Sequence, residues 1–155
     1  VTNGSKMTAR ERGAVGNYLG GIERGLSGNM SENSLEHALS AYHQKLPQGA
    51  GLIMLSKAYY SFMIDHHACD DRFICMAQKM GIPDASEPAD FLKALENLIE
   101  HCGVNELKMS DYGIQPDEFP KMAENAKNAM GMLFANDRIA LSIDDCIAIF
   151  KAAYR

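Results

Sequence analysis

The sequence predicts an all-α fold of about seven helices and no sheet. Apolar residues recur at helical spacing through most of the chain. No segment shows sustained alternation of β-branched and polar residues. Glycines and prolines fall between the periodic segments, at Gly28, Pro47, Gly81, Pro83, Gly103 and Gly113, where they serve as punctuation rather than interruption.

Taken in order, Val1 to Ser5 reads as a frayed lead-in, and a helix is expected from about Thr8 to Leu26 on the spacing of Val15, Leu19, Ile22 and Leu26. That segment carries Gly13, Gly16, Gly20, Gly21 and Gly25. Each costs about 1 kcal/mol against alanine inside a helix, and close helix–helix approach is the expected reason. Gly28 is free to take the positive φ that ends the helix. Ser31 is placed as N-cap of the next helix, which runs to about Gln44 with Leu35, Ala38, Leu39 and Tyr42 on its apolar side. This helix is expected to pack on the glycine-rich one. Pro47 stops it, and Gly49 to about Ile64 forms a strongly apolar, central helix through Leu52, Leu55, Tyr59 and Phe62.

Asp70 or Asp71 is expected to cap a short helix over Arg72 to Met80, closed by Gly81 and Pro83. Glu87 to Cys102 is amphipathic through Phe91, Leu92, Leu95, Leu98, Ile99 and Cys102, with Gly103 as C′ and His101 suited to the helix dipole. Leu107 to Tyr112 is a connection turned by Gly113. Pro116 to about Met130 is a helix burying Phe119, Met122, Ala123 and Ala126. Met132 to Ala140 reads as loop. Ser142-Ile-Asp-Asp145 resembles a capping box opening a last helix with Cys146, Ile147, Phe150 and Tyr154 inward.

Composition narrows the function. The 155 residues suffice for one domain with a real core. With 46% hydrophobic and 23% charged residues, the composition is that of a globular protein. A net charge of -5 with no basic run argues against nucleic acid. No apolar run is long enough for a membrane span, and no signal peptide is visible. Cys69, Cys75, Cys102 and Cys146 form no C-x-x-C, so free buried thiols in a reducing cytoplasm are expected. No G-x-G-x-x-G follows a strand, so nothing here cradles a dinucleotide pyrophosphate, and no nucleophile elbow marks a serine hydrolase.

Asp65-His66-His67-Ala68-Cys69-Asp70-Asp71 holds metal-ligand residue types. Adjacent helical residues point about 100° apart, so His66 and His67 do not converge on one ion, and the stretch reads as a solvated junction. The better candidate is Asn33-Ser-Leu-Glu-His37 through Pro47-Gln48-Gly49-Ala50-Gly51. Asn33 and His37 share a helix face at i, i+4, and the turn at Pro47 returns Gln48 toward that face. A polar helix end before a Pro-Gly turn is also ordinary loop chemistry.

Ser34-Leu35-Glu36-His37-Ala38-Leu39-Ser40-Ala41 followed by Gly49-Ala50-Gly51-Leu52 resembles the metal-site region of the iron-containing alcohol dehydrogenases. There the pattern is H-x-x-x-H and then H-G-x-G-L. The resemblance continues through Gly113-Ile114, Pro120, Met122-Ala123, Ala126 and Leu141-Ser142-x-Asp144-Asp145. In that family an α/β N-terminal domain holds NAD(P), and an all-α C-terminal domain holds a divalent metal, usually iron. The metal binds the alcohol oxygen and eases hydride departure to the nicotinamide.

The resemblance places two metal ligands of the family, both histidines, at Asn33 and Gln48. The intervening histidine, near nicotinamide and substrate in the family, is retained as His37. The linking segment looks one residue longer than in many members. An aspartate and a histidine complete the family's ligand set on an upstream stretch that this chain is expected to lack.

The resemblance therefore implies that residues 1–155 are one helical domain of a longer, two-domain, cytoplasmic NAD(P)-dependent alcohol dehydrogenase. Its partners would be its own nucleotide-binding domain, a small alcohol or aldehyde, and in some assemblies a second copy. Fe²⁺ or Zn²⁺ and NAD(P) belong to the parent enzyme; the chain itself is expected to bind neither and to be inactive alone. Two alternatives stay open. One is a metal-independent reductase of the same superfamily, with His37 as proton donor or relay. The other is a non-catalytic helical interaction module.

Overall fold

A computed structural model describes residues 4–155. Among them are seven α-helices and no strand. These are α1 (Met7–Ser27), α2 (Ser31–Tyr42), α3 (Gln48–Asp65), α4 (Asp70–Lys79), α5 (Asp90–His101), α6 (Phe119–Ala129) and α7 (Ile143–Ala153). Short 3₁₀ turns cover Met109–Tyr112, Pro116–Glu118 and Gly131–Asn136.

The bundle is organised around α2 and α3. Helix α2 packs on α3 and α6, α3 also meets α5 and α7, α6 meets α7, and α4 lies on α5. Leu35, Ala38 and Leu39 on α2 are fully buried. They stand at i, i+3 and i+4, the spacing that puts side chains on one helix face. Burial of a leucine of this kind contributes about 1.5–3 kcal/mol. Helix α6 presents Phe119, Met122, Ala123 and Ala126, all buried, as the sequence pattern predicts. Two aromatic groups knit the core. Tyr60, Phe73 and Phe91 join α3, α4 and α5, with Tyr60 edge-on to Phe91 at 5.2 Å between centroids. Phe119 stacks on Phe150 at 5.5 Å, joining α6 to α7. The chain end is tied down too: the Arg155 guanidinium donates to the Asn105 and Leu107 carbonyls at 2.8 Å.

Several expectations are corrected. Helix α1 does not pack on α2: none of its residues is buried, and Val15, Tyr18, Leu19, Ile22 and Leu26 are exposed. Among the described residues, a Cβ added at Gly13, Gly16, Gly20, Gly21 or Gly25 meets nothing within 4 Å. The glycines thus serve no helix contact within these residues, and the apolar stripe of α1 is presented outward. Ser31 is not an N-cap; Met30 holds that position, and the Asp137 carboxylate reaches across the fold to accept from the Ser31 amide at 3.0 Å. Asp70 and Asp71 lie inside the first turn of α4 rather than capping it, where their charges still suit the helix dipole. Part of the segment read as loop, Gly131–Asn136, winds as 3₁₀ helix. The four cysteines are free, but only Cys146 is buried; Cys75 and Cys102 are exposed. Outer positions of the apolar patterns, such as Tyr42 and Leu98, also stay exposed.

Other readings hold. Gly28 takes φ 74°, Gly103 φ 68° and Gly113 φ 79°, and Ser142 and Asp145 form the expected capping box on α7. No described helix is long and apolar enough to cross a membrane. The lead-in at Val1–Asn3 lies outside the described residues.

Candidate functional site at the α2–α3 hairpin

Pro47 sets the geometry. Its φ of -68° and ψ of 135° end the turn after α2 and start α3 at Gln48, a role suited to a fixed φ. Helix α3 then returns antiparallel along α2, so that Glu36 lies against Gly51 and, nearer the start of α2, Glu32 meets Ser56.

The three residues singled out in the sequence lie on or next to this hairpin. Asn33 and His37 are half-buried, one turn apart on α2, and Gln48 is exposed as the first residue of α3. Among the described residues no side-chain hydrogen bond joins them. Chemically they offer one imidazole and two neutral amides. An amide oxygen is a weak donor to a transition metal, and no group of three His, Cys, Asp or Glu side chains among the described residues is arranged to hold an ion. This donor set does not fit a tight Fe²⁺ or Zn²⁺ centre. The Asp65–Asp71 junction forms no such group either. His67, two residues past the end of α3, takes φ 52°, and its Nδ1 lies 2.7 Å from Asp70 Oδ2.

Sequence reasoning missed the inner stripe of α2. Glu32 and Glu36, also one turn apart, are turned into the α2–α3 seam rather than toward solvent. The Ser56 hydroxyl donates to Glu32 Oε1 at 2.7 Å. Burial raises the Glu32 carboxyl above the ordinary range, while hydrogen bonds from Ser56 and Tyr60 pull it back. Glu36 is fully buried, and among the described residues neither carboxylate oxygen has a hydrogen-bond partner. Burial likewise pushes its carboxyl up; the Ser40 hydroxyl nearby pulls the other way only weakly, because it donates to the Glu36 and His37 backbone carbonyls. The available signal was positional: both glutamates border the Leu35–Leu39 stripe, and a glycine stands across the seam. His43 was also missed. It closes α2 with its Nε2 3.0 Å from Glu118 Oε2, tying the helix to the start of α6.

A groove of about 650 Å³ lies between α3, α5 and α7 and contains none of Asn33, His37 or Gln48. Its floor is apolar through Ile53, Phe62, Ile99 and Ile149, and a Lys57–Glu96 ion pair stands at its rim. Volume alone does not make it the chemical site, because it gathers no histidine or cysteine.

The fold is thus an all-α bundle in which a glycine-rich turn feeds a central helix beside a half-buried histidine. The model of the Fe-containing alcohol dehydrogenase family, C-terminal, matches residues 1–154, and the chain belongs to that family. Among solved structures it is similar to a mutant of ADH/D1, an archaeal halo-thermophilic Red Sea brine pool alcohol dehydrogenase. The TM-score there is 0.86 at 21% identity, covering 98% of this chain and 39% of that one. It is also similar to 1,3-propanediol oxidoreductase, with a TM-score of 0.87 at 22% identity, covering 99% of this chain and 40% of that one. At such identities the likeness shows the fold. The chain thus spans about two fifths of the length of these solved structures. No curated protein matches it.

Proposed function

We propose that this chain is the substrate-side helical domain of an NAD(P)-dependent alcohol or aldehyde oxidoreductase, inactive by itself and completed by a nucleotide-binding domain of the same protein. The observation that carries this reading is the outward apolar stripe of α1. A 21-residue helix with no buried residue, yet with Val15, Tyr18, Leu19 and Ile22 on its surface, calls for covering chain. In the solved structures with the same fold about 60% of the chain lies outside the matched part, and the corresponding portion of this protein is the occupant assigned to the stripe.

The family resemblance sets Asn33 and Gln48 at metal-ligand positions, and their amides do not suit the metal. The half-buried His37 is the one imidazole of the set, which favours a second reading, that of a metal-independent reductase. A bound nicotinamide would supply the hydride to a carbonyl carbon. His37 would give its proton to the carbonyl oxygen, leaving an alcohol and a neutral imidazole to be reprotonated from solvent. Titration of the 155-residue chain with NADH should show no micromolar binding. The full-length protein should oxidise NADH or NADPH in the presence of a small aldehyde. Failure of the full-length protein with every short aldehyde and alcohol tried, before and after metal loading, would overturn the oxidoreductase reading. Chelator sensitivity of that activity would overturn the metal-independent one.

A further inference from the structure

Among the described residues, Glu36 is a fully buried carboxyl of the α2–α3 hairpin that no ion pair engages. Its side chain is wholly out of solvent, and among the described residues neither Oε1 nor Oε2 has a hydrogen-bond partner. Its cradle is Gly51: a Cβ there would stand 2.8 Å from Glu36 Cγ and 2.9 Å from Oε1. An ionised carboxylate in such a place is strongly disfavoured, and the usual resolution is to keep the proton.

Among the described residues the neighbours offer it no ion pair. On α2, Glu32 stands one turn before and is engaged by Ser56. Ser40, one turn after, donates to the Glu36 and His37 carbonyls. The side chain of His37 lies on the half-buried outer edge. From α3 the facing residue is Gly51, with Tyr60 and Tyr59 farther along, engaged with Glu32 and with Ser31 and Asp137. From α6 the helix meets the Ala126 carbonyl through Ser34, while Lys127 turns to the Leu141 carbonyl and Lys121 to Glu118 and the Tyr42 ring. Beyond the 3₁₀ turn Gly131–Asn136, Asp137 is turned to Ser31 and Tyr59.

We propose that Glu36 is carried as the neutral carboxylic acid in the folded domain, and that loss of its proton loosens the α2–α3 seam, an acid-held latch beneath the surface carrying His37. The neutral acid fits the close approach to Gly51; the carboxylate must draw water into the seam or push the helices apart. Because the folded state holds this proton more tightly than the unfolded chain, the latch is closed at and below the ordinary glutamate range. It weakens as pH rises through the raised midpoint of Glu36.

The test uses full-length protein carrying carbon-13-labelled glutamate. The Glu36 carboxyl carbon, assigned by through-bond connectivity in the unsubstituted protein, should titrate clearly above the other glutamates. Amide exchange of residues 36–40 and 48–51, corrected for intrinsic base catalysis, should lose protection through the same midpoint. Glu36→Gln should abolish that pH dependence while leaving the exchange of α7 unchanged. A Glu36 midpoint in the ordinary glutamate range overturns the proposal, whether or not the variant folds. So does seam protection that is independent of pH, or equally pH-dependent in Glu36→Gln.

Discussion

The Tyr59 hydroxyl donates to Asp137 Oδ1 at 3.0 Å, across 78 positions of sequence. The same oxygen accepts the Ser31 amide at 3.0 Å, so one carboxylate both caps α2 and orients a fully buried tyrosine of α3. Burial, and the nearby Asp137 charge with it, make the Tyr59 hydroxyl much harder to ionise than usual, against the opposing pull of Ser31.

Tyr59→Phe should cost about 1 kcal/mol, the net worth of a neutral hydrogen bond, whereas Asp137→Ala should cost about 2–3 kcal/mol because it strands two donors. Chemical denaturation of the two variants checks the order. Equal losses would mean that Asp137 does not serve both groups.

Glycines in the seam and in α1 should respond oppositely to alanine. Gly51→Ala drives a methyl into Glu36 and should destabilise by about 1–3 kcal/mol, the range for overpacking. Gly16→Ala meets open space and should raise the helicity of the 155-residue chain, at about 1 kcal/mol per glycine removed. In the full-length protein, where α1 is expected to be covered, Gly16→Ala should turn neutral or destabilising. Circular dichroism and thermal melts of both lengths distinguish these outcomes.

The start of α7 should be acid-sensitive. The Asp145 carboxyl is held below its ordinary range, chiefly by the Ser142 hydroxyl and then by the Ser142 amide. A depressed folded-state value means the contribution is present above the unfolded value of 3.8 and is lost as pH falls through the folded one. Ser142→Ala should remove about 1 kcal/mol at neutral pH and should flatten the loss of stability below about pH 4. Denaturation midpoints at neutral and acid pH measure both.

The hairpin itself predicts the outcome of restoring imidazoles. Asn33→His with Gln48→His should leave the 155-residue chain a weak, water-filled partial site. In the full-length protein the same pair should raise retained metal after dialysis, and alcohol oxidation with it. Equal metal content in the original and doubly changed full-length proteins would show that these are not ligand positions.

Helical class, most helix positions and the α6 core face were legible because they depend on local periodicity and punctuation. Phe119, Met122, Ala123 and Ala126 recur with the helix, and the residues between them are mostly polar. Of the candidate site, the shared edge of Asn33 and His37 and the placing of Gln48 at the head of α3 follow from i, i+4 spacing and Pro47. The inner stripe did not. A glutamate beside an apolar stripe reads as solvated until it is known which helix lies over it.

What the sequence by itself determined is therefore whatever one helix turn can specify: the helices, the Ser142–Asp145 box, the glycine stops and the resemblance that the family match bears out. Only the tertiary structure decided that Asp137 caps α2, that Glu36 is sealed against Gly51, and that the glycines of α1 face open space among the described residues. The physical reason is that burial and capping across the fold are properties of pairs of elements. Periodicity states which face of a helix is apolar, but not what, if anything, will cover it.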